Sequence, residues 1–158
     1  SSFGLWGLSG GVWYRLDEYY YDSRREGVSR TDEEHYQALE NLIGSRQVEC
    51  VIADPSAASF IECIRRHGKF NVIKADNDVI SGIRRVSDAI KQKKIMFSES
   101  CLDTIREFSL YQWNDKVGYD APVKENDHAM DDIRYFVSSM LCSADSADSG
   151  FFVLSAER

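Results

Sequence analysis

The sequence has few of the residues that form disulfides or structural zinc sites in small domains. Its four cysteines (Cys50, Cys63, Cys101 and Cys142) are widely spaced, and there is neither a Cys-x-x-Cys pair nor a pair of histidines at zinc-ligand spacing. This pattern predicts neither a disulfide framework nor a structural zinc site. It is typical of a protein kept in a reducing cytoplasm.

Other classes of protein are disfavoured by what is missing. No apolar run approaches the roughly 18 residues of a membrane span, and no signal peptide opens the chain. The Gly-x-x-x-x-Gly-Lys-Ser/Thr pattern of a P-loop is absent. Acidic residues outnumber basic ones, 26 to 19, for a net charge of −7. This balance argues against coating nucleic acid through bulk electrostatics, although bound metal ions could supply positive charge locally.

The chain is long enough for one sizeable hydrophobic core. It has 158 residues, 43% of them hydrophobic, which predicts a single domain. The first residue is Ser1 rather than methionine, which indicates a piece of a longer protein. We assign residues 1–142 to the domain and residues 143–158, which begin with a Ser/Ala/Asp-rich run, to a linker or tail.

Hydrophobic periodicity predicts an α/β fold. A hairpin with a glycine turn is followed by a helix capped by Thr31 and Glu34, and then strands alternate with helices, as in a sheet with a parallel section. The predicted strands cover 3–8, 12–21, 48–53, 71–75 and 95–98, and the predicted helices begin near residues 31, 56, 78, 102 and 127, the last after a loop at 114–126.

The last helix carries the most informative pattern. His128, Asp131, Asp132 and Tyr135 fall at i, i+3, i+4 and i+7, so we expect them on one side, facing solvent or a cleft. Met130, Ile133, Val137, Met140 and Leu141 would face the core. Such an acidic stripe can hold a divalent cation or can simply be a solvated face, and the pattern alone leaves both open.

Asp54 follows a predicted strand directly, where α/β sheets present functional groups. Before Pro55 and Ser56 it can equally cap a helix. Lys74, Arg84 and Arg85 are candidates for a DNA-contacting rim, with a solvated helix face as the alternative. We expect His35 to be an exposed helical residue.

Four stretches together resemble the nuclease domain of phage and prophage terminase large subunits. They are residues 51–54 (VIAD), 73–86 (IKADNDVISGIRRV), 101–113 (CLDTIREFSLYQW) and 127–135 (DHAMDDIRY). The resemblance implies a ribonuclease-H-like mixed sheet flanked by helices. It also implies that the family's first strand, which is central and ends in a metal-binding aspartate, lies upstream of Ser1, leaving a gap in the sheet.

By this resemblance the reaction is endonucleolytic cleavage of concatemeric double-stranded DNA with two Mg²⁺ or Mn²⁺ ions about 4 Å apart. Asp54 and Asp131 would bind the ions, and His128 would orient water or help to hold the second ion. Asp127 and Asp132 are reserve ligands. The absence of the upstream aspartate from this chain removes one of the metal ligands that the resemblance implies.

The implied partners are DNA, the ATPase domain of the same protein, the small terminase subunit and the portal, in the cytoplasm of a bacterial host. Two other interpretations stay open at this point. One is a truncated or decayed module that docks onto DNA or packaging proteins without cutting. The other, which fits less well, is a receiver-type signalling domain phosphorylated at Asp54, because the acidic pair that such a domain needs is missing.

Overall fold

A computed structural model describes residues 1–112, 121–141 and 152–157 of the chain. The strands are β1 (Ser2–Ser9), β2 (Val12–Tyr20), β3 (Val48–Ala53), β4 (Val72–Lys74), β5 (Ile95–Phe97) and β6 (Phe152–Glu157). The helices are α1 (Ser23–Glu26), α2 (Asp32–Ile43), α3 (Ala58–His67), α4 (Val79–Lys91), α5 (Leu102–Leu110) and α6 (His128–Phe136), which continues into a π-helical turn, Val137–Leu141. Most of the predicted loop 114–126 and the predicted linker 143–150 lie outside the described residues.

Local sequence signals explain where the first elements begin and end. The β1–β2 turn places Gly10 and Gly11 at φ 58° and 76°, a conformation that side chains other than glycine rarely adopt. Helix α2 begins with the expected capping box, in which the Thr31 hydroxyl accepts from the Glu34 N–H and the Glu34 carboxylate accepts from the Thr31 N–H. These two predictions are confirmed.

The six strands form one mixed sheet in the order β4-β3-β6-β1-β2-β5. Strand β3 runs parallel to β4 and β6, whereas β1 runs antiparallel to both β2 and β6. Strand β5 extends the sheet on the far side, parallel to β2. The predicted fold class, a mixed sheet flanked by helices, is therefore confirmed.

The centre of the sheet differs from expectation. The resemblance implied a gap between β1 and β3, but β6 lies there, hydrogen-bonded to both neighbours. The sequence analysis placed these residues in a linker or tail. Their position is explained by the small or apolar side chains of Leu154, Ser155 and Ala156, which are all buried between the two helical layers.

Helices cover both faces of the sheet. Helices α2 and α3 pack on one face, where Phe3 stacks on Phe60 with ring centroids 5.5 Å apart. Helices α4 and α6 pack on the other face, where the Trp6 and Phe136 rings stack at 3.9 Å. None of the helices in the described part of the chain is long and apolar enough to cross a membrane.

Two predictions about exposure are wrong. His35 is buried rather than exposed, because its ring packs edge-on against Phe3 and Phe60 and its Nδ1 lies 3.3 Å from the Tyr19 hydroxyl. Helix α6 has no solvated stripe, since every residue from Ala129 to Phe136 is buried. The helix lies across β1, β3 and β6 with α4 and α5 beside it, so even its polar side is covered.

A close approach at Gly4 gives a stability prediction. A Cβ added there would lie 1.8 Å from Nη1 of Arg15, a fully buried side chain. We therefore expect Gly4→Ala to lower the free energy of unfolding by about 1–3 kcal/mol, the usual cost of overpacking a filled core. Urea denaturation measures this. Gly10→Ala, which meets no atom within 4 Å, separates steric overlap from the strain of a positive φ, and equal losses in both variants would contradict the steric explanation.

Candidate functional site

Asp54 lies at the carboxyl end of β3, as predicted. Its backbone N–H donates to the Ala156 carbonyl of β6 at 3.0 Å, and its Oδ1 accepts from the Ser56 N–H at 2.9 Å. The second bond tightens the turn that leads into α3. Asp54 therefore acts as a turn cap, and this contact occupies one of its two carboxylate oxygens. Its side chain lies in a largely buried position, 7% exposed.

Two further carboxylates, those of Asp127 and Asp131, both contact the ammonium group of one lysine. Lys124, in the loop before α6, places its Nζ 3.3 Å from Asp131 Oδ2 and 3.5 Å from Asp127 Oδ2. The lysine is mostly exposed, whereas both aspartates are nearly buried. The start of α6 thus presents two carboxylates that already bind a positively charged group.

Asp131 has a second cationic partner on its own helix. Arg134 donates to Asp131 Oδ1 from Nη2 at 2.9 Å and from Nε at 3.3 Å. The spacing i, i+3 puts the two side chains on neighbouring turns. Asp131 is consequently held in one orientation by charges on both sides.

His128 opens α6 and is half-buried, with its ring 5.9 Å from that of Tyr20. Together with Asp127 and Lys124 it lines a cleft of about 400 Å³, whose opposite wall includes Ser1 and Arg24. The cleft is large enough for a phosphate group and several waters, and its walls carry both signs of charge.

Asp132 points away from this cleft. Its Oδ2 accepts from Arg15 Nη2 at 2.8 Å and from the Ser2 hydroxyl at 3.0 Å, and both Asp132 and Arg15 are fully buried. Burial raises the pKa of Asp132 to about 6, while the Arg15 charge acts in the opposite direction. The structure thus gives this reserve ligand a place in the core, where it ties α6 to the first hairpin.

A buried glutamate on α5 fixes the start of α6. Glu107 Oε2 accepts from the Ala129 N–H at 2.7 Å and the Met130 N–H at 3.2 Å, and Oε1 accepts from the Tyr20 hydroxyl at 2.5 Å. Burial raises the pKa of Glu107, and these hydrogen bonds oppose the rise. A negative charge at a helix N-terminus is favourable, so Glu107 caps α6 in trans.

The turn after Asp54 and the start of α6 each border a cleft that Ser1 also lines. A second cleft, of about 320 Å³, is lined by Ser56, Ala57 and Arg30, and Ser1 lines both clefts. The turn after Asp54 and the start of α6 therefore flank the same residue. Asp127 lines the first of these clefts, and Ser56 and Ala57, which follow Asp54 in the turn before α3, line the second.

The carboxylate oxygens of Asp54, Asp127 and Asp131 do not form a compact group of three metal ligands. Within residues 1–112, 121–141 and 152–157, only Glu33, Cys63 and His67 bring three metal-ligating atoms within 4.8 Å of one another. Of the basic residues predicted for a DNA rim, Lys74 ends β4 and pairs in register with Ala53, the residue before Asp54, at the same edge of the sheet. Lys74 and Arg84 are exposed, and Arg85 is paired with Asp76 at 3.0 Å.

Sequence reasoning missed the residues that hold this site in place, namely Arg15, Glu107, Lys124 and Arg134. The spacing of Lys124 from Asp127 and of Asp131 from Arg134 was a usable signal, since residues three apart meet on a helix or in its first turn. The contacts of Arg15 and Glu107 with α6 cross more than twenty positions of sequence. Local patterns do not predict contacts of that kind.

No family model matches the sequence. The chain is similar to the terminase large subunit of Escherichia phage T5, with 23% identity over 133 residues that make up 80% of this chain and 30% of that protein. Its fold is similar to that of the large terminase of a thermophilic bacteriophage, solved in complex with ADP. The match has a TM-score of 0.85 and 48% identity and covers 89% of this chain and 36% of the other.

Structures of that large terminase with ATP-gamma-S and in another crystal form match equally well. The chain spans about a third of the length of these relatives. Both the sequence and the mixed sheet point to the same proteins, and the chain is therefore a ribonuclease-H-like domain of the phage terminase large-subunit type.

Proposed function

We propose that this domain is the nuclease of a phage DNA-packaging terminase and cuts concatemeric double-stranded DNA with the help of divalent metal ions. The observation that carries the proposal is the contact of both Asp127 and Asp131 with the Lys124 ammonium, beside a cleft that shares Ser1 with the cleft next to the turn after Asp54. Carboxylates from a strand end and from a late helix are what a hydrolytic metal site needs.

The donor set fits Mg²⁺ or Mn²⁺. Both ions prefer carboxylate and water oxygens and keep several waters when bound. Asp131 and Asp54 would hold the ions, with Asp127 as a further ligand. When bound, such ions activate water and stabilise the leaving oxygen of a phosphodiester.

The residues of the chain have separate tasks in this proposal. Lys124 holds the Asp127–Asp131 pair together until an ion takes its place, and its exposed side chain can then turn towards a DNA phosphate. Arg134 keeps Asp131 oriented. His128, on the wall of the cleft, orients water or helps to hold an ion.

Strand β6 ends at the same edge of the sheet as β3. Its last residue, Glu157, pairs in register with Ser2 and directly follows Ala156, the hydrogen-bond partner of Asp54. Because β3 and β6 are parallel, their carboxyl ends lie at the same edge of the sheet.

Plasmid cleavage with Mn²⁺ tests the proposal, both for this chain and for a longer protein that contains it. Asp54→Asn and Asp131→Asn should each slow cleavage by at least about 100-fold, the usual effect of removing one electrostatic stabiliser of a transition state. Asp88→Asn, on the exposed side of α4, is the matched control and should cut normally. Unchanged cleavage in both site variants would refute the assignments.

DNA binding without cleavage would instead favour a docking module. Lys124 and Arg134 both pair with Asp131, and a module that does not cut DNA could keep these ion pairs without binding a metal ion. Calorimetric titration with Mn²⁺ distinguishes the two, since a working site should bind the ion and a decayed one should not.

A further inference from the structure

A second group of metal-ligating side chains lies on the other face of the sheet, between α2 and α3. Ligand atoms of Glu33, Cys63 and His67 all lie within 4.8 Å of one another. Glu33 lies in the first turn of α2, and Cys63 and His67 are one turn apart on α3. The group is therefore formed by two packed helices rather than by one flexible loop.

The histidine in this group is held in a defined orientation. Its ring stacks on Tyr36, with centroids 3.8 Å apart and an angle of 6° between the planes. Its Nε2 lies 2.8 Å from Glu33 Oε2. An imidazole fixed by packing, with its nitrogen directed at another oxygen that can ligate a metal, is well placed to act as a metal ligand.

The thiol lies at the bottom of the group. Cys63 is almost fully buried, whereas Glu33 and His67 are about half and over a third exposed, so an ion can enter from the surface. Burial raises the pKa of the Cys63 thiol, and the neighbouring Glu33 carboxylate raises it further. A bound cation favours the thiolate, so binding should release a proton and strengthen with rising pH.

Arg66 would compete with a metal ion for Glu33 and Cys63. It pairs with Glu33 and lies 3.9 Å from Cys63 Sγ. Its side chain is 65% exposed, so it can move into solvent without leaving a buried charge behind. An exposed ion pair of this kind is worth little, which makes its replacement by a metal ion feasible.

We propose that Glu33, Cys63 and His67 form a site for a borderline-soft divalent ion, best matched by zinc, that ties α2 to α3. One sulfur, one nitrogen and one carboxylate oxygen are all zinc ligands, and three protein ligands leave one position for water. Tetrahedral bonds of 2.0–2.3 Å need donor atoms about 3.3–3.8 Å apart, which small side-chain rotations reach from the present spacing. Mg²⁺ and Ca²⁺ are poorly matched to this site, because both ions prefer oxygen ligands to thiolate and imidazole.

Cobalt is the probe of choice, because Co²⁺ occupies zinc sites and reports thiolate ligation by a charge-transfer band in the near ultraviolet. We expect the reduced, untagged 158-residue chain to bind one Co²⁺ with this band and to release it when Zn²⁺ is added. Zn²⁺ should also raise the melting temperature. The acidic site proposed above offers no thiolate, so an ion bound there gives no such band, and the two proposals fail independently.

His67→Gln and Glu33→Gln change exposed residues and should leave the fold intact. Each should weaken Zn²⁺ binding by more than about 100-fold, above the 10–100-fold that the loss of a supporting outer partner costs. Cys63→Ala should abolish the charge-transfer band, with circular dichroism checking that the chain is folded. Glu40→Gln, which breaks the neighbouring Glu40–Lys69 pair between the same helices, should bind as the unmodified chain does.

Two results would overturn the proposal. One is the absence of a thiolate band when Co²⁺ is added to the reduced chain. The other is a charge-transfer band that survives in Cys63→Ala, which would place the ion at another cysteine, or Zn²⁺ binding that is unchanged in both His67→Gln and Glu33→Gln. In either case the three residues form only an interhelical ion pair beside a buried thiol.

Discussion

Replacing Arg15 with methionine is expected to lower the free energy of unfolding by about 3–5 kcal/mol, because it leaves Asp132 as a buried charge without its partner. The two side chains meet at 2.8 Å and both are fully buried. Their contact joins the first hairpin to α6, so the loss should also loosen the helix that carries Asp131. Urea denaturation followed by tryptophan fluorescence measures the change.

The double replacement Arg15→Met with Asp132→Leu is the informative control. Arg15 Nε and Nη1 have no hydrogen-bond partner among the described residues, so the pair is only partly satisfied. Buried pairs of this kind are often replaceable by apolar side chains at little cost. We expect the double variant to be more stable than Arg15→Met alone, and equal or lower stability would show that the charge pair is not the source of the loss.

Glu107→Ala should destabilise the chain by about 2–4 kcal/mol, the second large effect. Three donors, the Tyr20 hydroxyl and the N–H groups of Ala129 and Met130, would lose their acceptor in a buried place. Each unsatisfied buried donor costs about 1–3 kcal/mol, with some recovery through water. Glu107→Gln keeps an acceptor of similar shape and should lose less than half as much.

The stability difference between the unmodified chain and Glu107→Gln should change with pH in one definite direction. The pKa of Glu107 is raised in the folded chain, so its contribution to stability is fully present below the ordinary glutamate pKa and is lost as the pH rises through the raised value. Glutamine does not titrate. The stability difference between the unmodified chain and Glu107→Gln should therefore shrink with rising pH across that window, and a difference that grows would contradict the assignment.

Helix placement was largely predictable because it depends on residues close in sequence. The Thr31 capping box lies where the pattern placed it. Helix α4 also begins near residue 78 as predicted, with Asp78 as its cap, since Asp78 accepts from the Ser81 N–H at 2.8 Å. Capping depends on a hydrogen bond across three residues, which a linear pattern contains.

Exposure was less predictable. The regularly spaced Leu102, Ile105 and Phe108 predicted α5, yet these three side chains are 71%, 49% and 39% exposed. The side of α5 that faces the protein carries Thr104 and Glu107, which serve as hydrogen-bond partners for Glu18 and for α6. A hydrophobic period indicates that a helix forms, but the neighbours decide which side they cover.

The sequence by itself determined the order of strands and helices, the position of Asp54 at a strand end and the likeness to terminase large subunits. Those features depend on local periodicity, capping and motif spacing. Only the tertiary structure decided that β6 lies between β1 and β3, that Asp132 turns inward to Arg15 while Asp131 meets Lys124, and that Glu33 joins Cys63 and His67. The physical reason is that strand pairing and burial of charge join residues far apart in the chain, and the free energy of such contacts depends on the whole packed arrangement.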